Sequence, residues 1–446
     1  MIKKLIQKVL PKRQKTPRTR CLNAAQHPLR MQHLNFAAEK VIKRLHAEGF
    51  QAYVVGGAVR DLLLGREPKD FDVATDASPE QVRKIFRRSR IIGRRFQIVH
   101  VMVGPETIEV TTFRGGDGGA QNEHGRIMRD NQFGTRSEDA ARRDFTCNAL
   151  YFDPVREELF DDHGGCEDIA ARELVMIGDP AARFREDPMR ILRAVRLSAK
   201  LGFTVSPAIQ AAIGEHAHLV RSEPIARLFD EIMKELLCGY ATECLQQLHV
   251  LGIPTDTHPL FQALETDEDT ADRRFLHTVL SETDARVRAD KPVSVGFILA
   301  ALLWATVRRQ WQQHLTAGMK PVPALQRAIG DVKESTERGW GVPHRFAATM
   351  REIWQLQPQF DIMRGKRPLR LLTQERFRAA YDFYVLRARC GEASNDTAQW
   401  WTRFQAASDE EREQMLNAAP QSSDHDAPKR RRRRKPRAAG SNESSA

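Results

Sequence analysis

Residues 53–72 read YVVGGAVRDLLLGREPKDFD, an order that predicts strand, turn, helix and second strand. Tyr53, Val54 and Val55 are aromatic or β-branched and run into Gly56-Gly57, a turn signal. From Ala58 the apolar Val59, Leu62 and Leu63 fall at helical spacing, and Gly65 with Pro68 closes the helix. The second strand is expected to end in Asp70 and Asp72. Side chains alternate along a strand, so these two share a face while Phe71 turns to the core.

Each half of the stretch has a chemical reading and a plain one. Gly56 and Gly57 put two residues without side chains before a helix N-terminus, where backbone N–H groups and the helix dipole suit a phosphate. Arg60, one turn in, is placed to add a fork of donors to the same phosphates. Asp70 and Asp72 make a hard-oxygen pair of the kind Mg2+ takes together with substrate phosphates. The plain readings are a glycine turn that serves packing and an Asp pair that caps a loop. Both halves together favour a nucleotide-plus-metal site.

Outward from this stretch, 34–50 has helical spacing that leads into the first strand, and Ser78-Pro79 opens another helix as N-cap and first helical residue. IIGRRFQIVHVMVG and TIEVTTFRG read as strands separated by Gly104-Pro105. Glu109 lies in the second as a third carboxylate on a neighbouring strand, or else as an edge-strand solubilising charge. The Gly-, Asn- and Asp-rich run 115–136 is expected to be a long loop that orders when substrate binds. Ser137 is expected to cap the next helix, which leads into Arg142-Arg143-Asp144, a tripeptide that on chemistry alone is most often a surface ion-pair cluster. In FREDPMRILRAVRLSAKL (184–201), Pro188 begins a helix behind Glu186 and Asp187, and Asp187, Arg190 and Arg193 fall on one arc. The plain reading there is an i,i+3 ion pair on a solvated face.

Beyond Ser206 β signals almost vanish and long helical stretches follow, among them ARLFDEIMKELLCGYATECLQQLHVLG and a buried core helix around GFILAALLWA. DIMRGKRPLRLL and RFRAAYDFYVLRAR interleave basic and aromatic residues, which suits either an RNA strand or amphipathic helices with aromatic cores. The net charge of +12 sits at the ends: residues 1–20 hold eight Lys or Arg and no acid, and 421–446 hold eight against three acids. The rest is close to neutral, so the arms are the polyanion-binding candidates. Six cysteines without a C-x-x-C pair fit reduced thiols in the cytoplasm better than disulfides or a zinc site. No apolar run approaches the roughly 20 residues of a spanning helix, and the N-terminal MIKKLIQKVLPKRQK lacks a signal-peptide apolar region; weak contact of this arm with an anionic membrane surface is the one membrane role left open.

GG-x-VRD-x-LLG followed by KDFD resembles the signature of the nucleotidyltransferase branch that holds bacterial poly(A) polymerases and tRNA CCA-adding enzymes. RRDFTCNAL at 142–150, Gly164-Gly165 with Asp168, and E-D-x-x-R at 186–190 follow in the family's order. The resemblance implies that Asp70 and Asp72 hold two Mg2+ ions, that Asp144 completes the catalytic acidic set with Glu109 assisting, and that Gly56, Gly57, Arg60 and Arg143 bind the triphosphate. It also implies a nucleotide-binding place for Asn148, and base or sugar contacts for Asp187, Arg190 and Arg193. GRRFQIVHVMVG, EIWQLQ, GKRPLRLL, FRAAYDF and the arginine-rich end are similar to the poly(A) polymerase side.

The resulting expectation is an α+β chain: a nucleotidyltransferase head with a small mixed sheet, followed by an all-α neck and body. The expected organisation is a basic arm (1–33), head (34–180), neck (181–255), RNA-binding body (256–418) and disordered Arg-rich tail (419–446). The expected activity is template-independent addition of AMP from ATP to RNA 3′ ends, with roles in mRNA processing and RNA decay. The expected cofactor is Mg2+, the expected state a monomer, and RNA-decay or RNA-chaperone proteins are candidate partners. A CCA-adding enzyme using CTP and ATP, and a non-catalytic RNA-binding protein on the same fold, are the alternatives.

Overall fold

The computed structural model describes residues 20–93, 97–115, 120–121, 127–129, 133–258, 260–261, 270–339 and 341–418. They belong to two compact units, one ending at Met350 and one beginning at Arg351. The basic arm before Arg20, the arginine-rich tail from 419 and much of the glycine-rich run between 116 and 132 lie outside the described residues. Within that run, Ala120–Gln121 and Ile127–Arg129 pair as a short antiparallel ladder.

The first unit is built on a mixed sheet. Its strands are β1 (Arg20–Leu22), β2 (Ala52–Val55), β3 (Asp72–Thr75), β4 (Ser89–Ile92), β5 (Ile98–Val103), β6 (Glu106–Thr112), β9 (Leu150–Asp153) and β10 (Glu158–Asp161), β7 and β8 being the short ladder just described. They lie in the order β1-β10-β9-β2-β3-β6-β5-β4. All neighbours named are antiparallel except β3 and β6, which run parallel and put Asp72 beside Glu109. Helix α1 (Phe36–Ala47) buries Ala37, Ala38, Val41, Ile42 and Leu45; Asn35 caps it by accepting from the Ala38 N–H. Helix α2 (Gly57–Leu63) follows the glycine turn and stops where Gly65 takes φ +68°. Helix α3 (Pro79–Ile85) has the expected Ser78 cap and Pro79 start.

Local expectations changed in four places. The aspartates open the second strand instead of ending it: β3 begins at Asp72, and Asp70 precedes it. Phe71 is buried as expected. IIGRRFQIVHVMVG holds two antiparallel strands, β4 and β5, because the chain turns at Gly93, φ +93°. Thr135, not Ser137, caps α4 (Arg136–Arg142): its hydroxyl accepts the Glu138 N–H, and the Glu138 carboxylate accepts the Thr135 N–H in return. The sequence carries no strand signal at Arg20–Leu22, yet those residues pair with β10 at the sheet edge.

Past α5 (Gly165–Ala171) the two-residue strands β11 (Glu173–Leu174) and β12 (Thr204–Val205) pair in parallel, and the described residues that follow hold helices and no further strand. Helices α6 (Pro180–Glu186), α7 (Met189–Leu201), α8 (Pro207–His216), α9 (Ile225–Leu236) and α10 (Ala241–Val250) come first, with α10 and α9 against α7. ARLFDEIMKELLCGYATECLQQLHVLG is therefore two helices, broken at Gly239, φ +83°. Helices α11 (Ala271–Arg288), α12 (Val295–Thr316) and α13 (Pro321–Gly339) continue, and the GFILAALLWA segment of α12 is buried as its all-round apolarity requires. Among the described residues no helix is long and apolar enough to cross a membrane.

The second unit closes a core of Phe360, Phe377, Tyr381, Tyr384, Trp401 and Phe404. The aromatics of RFRAAYDFYVLRAR therefore stack on one another, Phe377 on Tyr381 at 6.0 Å, and fill a core instead of offering a face to bases.

Candidate functional site

The glycine turn is the floor of the site. Gly56 has φ +70° and ψ −129°, a conformation that suits glycine. A side chain there would also stand 3.2 Å from Nη1 of Arg143. Below the turn lies Arg60, buried, with Nη1 donating to Asn148 Oδ1 at 2.6 Å and Nε and Nη2 donating to Asp61 at 2.9 and 2.7 Å. Arg60 thus has protein partners on both sides and braces the turn. Asn148 links further, its Nδ2 donating to Asp144 Oδ1 at 3.5 Å.

Arg143 ends α4 and turns back over β9. Its Nε donates to the Tyr151 hydroxyl at 2.8 Å and its Nη2 to Asp139 Oδ2 at 3.3 Å, while Tyr151 donates to the same carboxylate at 2.5 Å. Burial pushes the Tyr151 pKa up, so it stays a neutral donor. Asp139 and Tyr151 escaped the motif reading. Asp139 is legible in hindsight as the i,i+4 partner of Arg143, whereas Tyr151 meets Arg143 only through the fold.

Across the sheet, Asp72 opens onto a cavity of about 650 Å3 beside Glu109. Burial, then the Glu109 carboxylate, pushes the Asp72 pKa up to about 6; Arg143 opposes this and Asp70 adds to it. Glu109 also meets His100 Nε2 at 3.2 Å. Asp70 is exposed, is not on the cavity wall as the side chains stand here, and adds its charge to the field that raises the Asp72 pKa. No ready-made cluster of three metal-ligating side chains exists among the described residues. A crowded carboxylate pair with a high proton affinity still suits a hard divalent cation whose remaining ligands come from phosphates.

The opposite bank is helical. Asp144 accepts the Phe145 N–H at 2.8 Å and pairs with Arg193 at 3.3 Å. Asp187 and Arg190 do not pair with each other. Asp187 accepts both from the Met189 N–H, capping α7, and from Nη2 of Arg227 at 2.8 and 3.0 Å. Arg190 donates to Glu186 at 2.8 Å and to the Arg183 carbonyl at 2.8 Å. Arg227, forty residues from Asp187 in sequence, carried no local signal. The cavity wall holds ten Lys or Arg, including Arg196, Lys200 and Lys234, against six Asp or Glu, an excess that suits a triphosphate and a polynucleotide end.

Residues 52–175 match the family model described as "Poly A polymerase head domain", 202–264 "Probable RNA and SrmB- binding site of polymerase A", and 317–438 "Polymerase A arginine-rich C-terminus". Poly(A) polymerase I of Salmonella typhi is 41% identical over 398 residues, 86% of this chain and 85% of that protein. That of Haemophilus influenzae is 38% identical over 400 residues, 87% and 88%. The chain belongs to the poly(A) polymerase family. Within the family's wider kinship, a CCA-adding enzyme of Bacillus pumilus is 36% identical over 230 residues, only 51% of this chain and 55% of that enzyme. The crystal structure of the Bacillus stearothermophilus CCA-adding enzyme in complex with CTP aligns with TM-score 0.56 at 26% identity, covering 82% of this chain and 80% of that one. The expected fold, a nucleotidyltransferase head followed by a helical region, is thus borne out.

Proposed function

We propose that this poly(A) polymerase family member adds AMP units from ATP to RNA 3′ ends without a template, releasing pyrophosphate. The observation that carries the reading is coverage: poly(A) polymerase I relatives match nearly the whole chain, CCA-adding enzymes about half of it. Free cysteines, six of six, fit the cytoplasm as its place of action.

In the reaction the RNA 3′-oxygen attacks the α-phosphorus and the bond to the β-phosphate breaks. Asp72 and Asp70, with Glu109 beside them, would hold Mg2+. Bound there, Mg2+ lowers the cost of ionising the 3′-hydroxyl and neutralises the phosphates. Asp144 adds an acidic group to the same cavity. Arg143, held by Tyr151 and Asp139, presents a fixed guanidinium to the triphosphate, and Gly56 and Gly57 allow close approach of the backbone. Arg60 and Asn148 brace that turn and also line the cavity, where they add donors for the triphosphate and the nucleotide. Asp187, Arg190 and Arg193 face the base or sugar, with Asp187 aligned by Arg227. The match of 202–264 to an RNA- and SrmB-binding model supports an RNA path and an RNA-decay or chaperone partner for that region.

The test is primer extension with purified protein, Mg2+, a short RNA and each NTP separately. Long ladders with ATP alone are expected, and Asp72→Ala should reduce them by at least about a hundredfold. Addition that requires CTP before ATP and stops after three residues would favour the CCA reading instead.

A further inference from the structure

Arg183 joins the two banks of the site without touching the cavity. It lies in the last turn of α6, and its side chain is mostly buried. Nη2 donates to the Arg142 carbonyl at 2.7 Å and to the Arg143 carbonyl, while Nη1 donates to Glu186 at 2.9 Å. The two carbonyls end α4, where helices leave C=O groups unpaired and favour positive charge. The Glu186 oxygen that takes Arg183 also takes Arg190, and Arg190 donates back to the Arg183 carbonyl. One guanidinium therefore ties the backbone that carries Arg143 to the carboxylate that orients Arg190. Burial works against the Glu186 charge, but Arg190 and Arg183 outweigh it and keep its pKa below the usual value. Arg183 is absent from the cavity wall, which Arg143, Glu186 and Arg190 all line.

We propose that Arg183 is a positioning residue that couples placement of the triphosphate to recognition of the base. The inference rests on the reading above, in which Arg143 meets phosphate and Arg190 meets the base. Without the tie, a nucleotide whose base fits poorly no longer has its phosphates displaced, so selection among nucleotides weakens. A Lys at this position keeps one charge but loses the planar fork, so it can serve one end of the tie at a time.

The experiment is steady-state extension of a short RNA by full-length wild type, Arg183→Ala and Arg183→Lys, with ATP and CTP measured separately and Tm recorded for each. Arg183→Ala should lower the ATP-over-CTP ratio of kcat/KM by about tenfold, the scale of one lost charge-assisted hydrogen bond. Arg183→Lys should recover part of the ratio. Should Arg183→Ala not fold, a lowered ratio in the soluble Lys variant supports the proposal and an unchanged one overturns it. An equal fall with both nucleotides, leaving the ratio unchanged, would show a merely structural role and overturn the proposal while leaving the proposed function intact. Wild type with no preference for ATP would overturn both, and that result is read before any variant is compared.

Discussion

Gly56 shows how much chemistry a missing side chain permits. Its positive φ with ψ −129° and its distance to Arg143 mean that Gly56→Ala would strain the backbone by about 1–3 kcal/mol and push on the arginine proposed to meet phosphate. The expected outcome is a kcat/KM for ATP roughly tenfold lower and a Tm lower by a few degrees, measured by primer extension and thermal melting. At this scale the sequence was informative about residue types and poor about partners. Asp72 and Glu109 were visible from strand pattern, Arg143 and Asn148 only through the family resemblance, and the register of β3 on β6 sets the first two side by side. What holds them was largely hidden. Buried Arg60 pairs with Asp61 and Asn148, and Asp187 with the half-exposed Arg227, because the fold brings the nearest carboxylate or amide to each guanidinium whatever the distance in sequence.

Among the elements, α9 contains an acid that packing treats as neutral. Glu235 is 2% exposed, and one of its oxygens is buried without a hydrogen-bond partner. Burial, reinforced by Glu231, raises its pKa well above the usual 4.5, with Arg196 only partly offsetting this. A folded state that holds the proton more tightly than the unfolded chain loses stability as pH rises from the unfolded value toward the folded one. Glu235→Gln removes that titration. The variant should match wild type in Tm near pH 4 and exceed it by about 1–3 °C at pH 8, followed by circular dichroism. Element types were legible where period and caps agreed, as in α1, α3 and the buried segment of α12. Boundaries failed where two signals competed: Thr135 and Ser137 both suit an N-cap, and only Glu138 closing back on Thr135 decides between them. β1 was illegible because three residues on an edge borrow their conformation from β10.

At the scale of the whole molecule, the net charge and the candidate site are separately placed, although the cavity wall has a local basic excess of its own. The two chain ends hold the excess of basic residues, whereas the cavity belongs to the near-neutral middle. Removing residues 421–446 should flatten the dependence of log Kd for single-stranded RNA on log salt by up to about 5, while turnover on a short primer stays nearly constant; collapse of that turnover would give the tail a structural part. The cavity itself is made of unlike materials. Asp72 and Glu109 ride on β3 and β6, strands with a neighbour on both sides, whereas Asp187 follows α6 and Arg190 and Arg193 ride on α7, with Arg193 reaching Asp144 and Arg183 of α6 reaching the Arg142 carbonyl. Amide hydrogen exchange should therefore divide the site in two, with slow protons along 73–75 and 108–111 and faster ones in α6 and the first turn of α7. Under the proposed roles, warming toward the transition frays the helical bank before the strand carboxylates, and choice among nucleotides is lost at a lower temperature than ion binding.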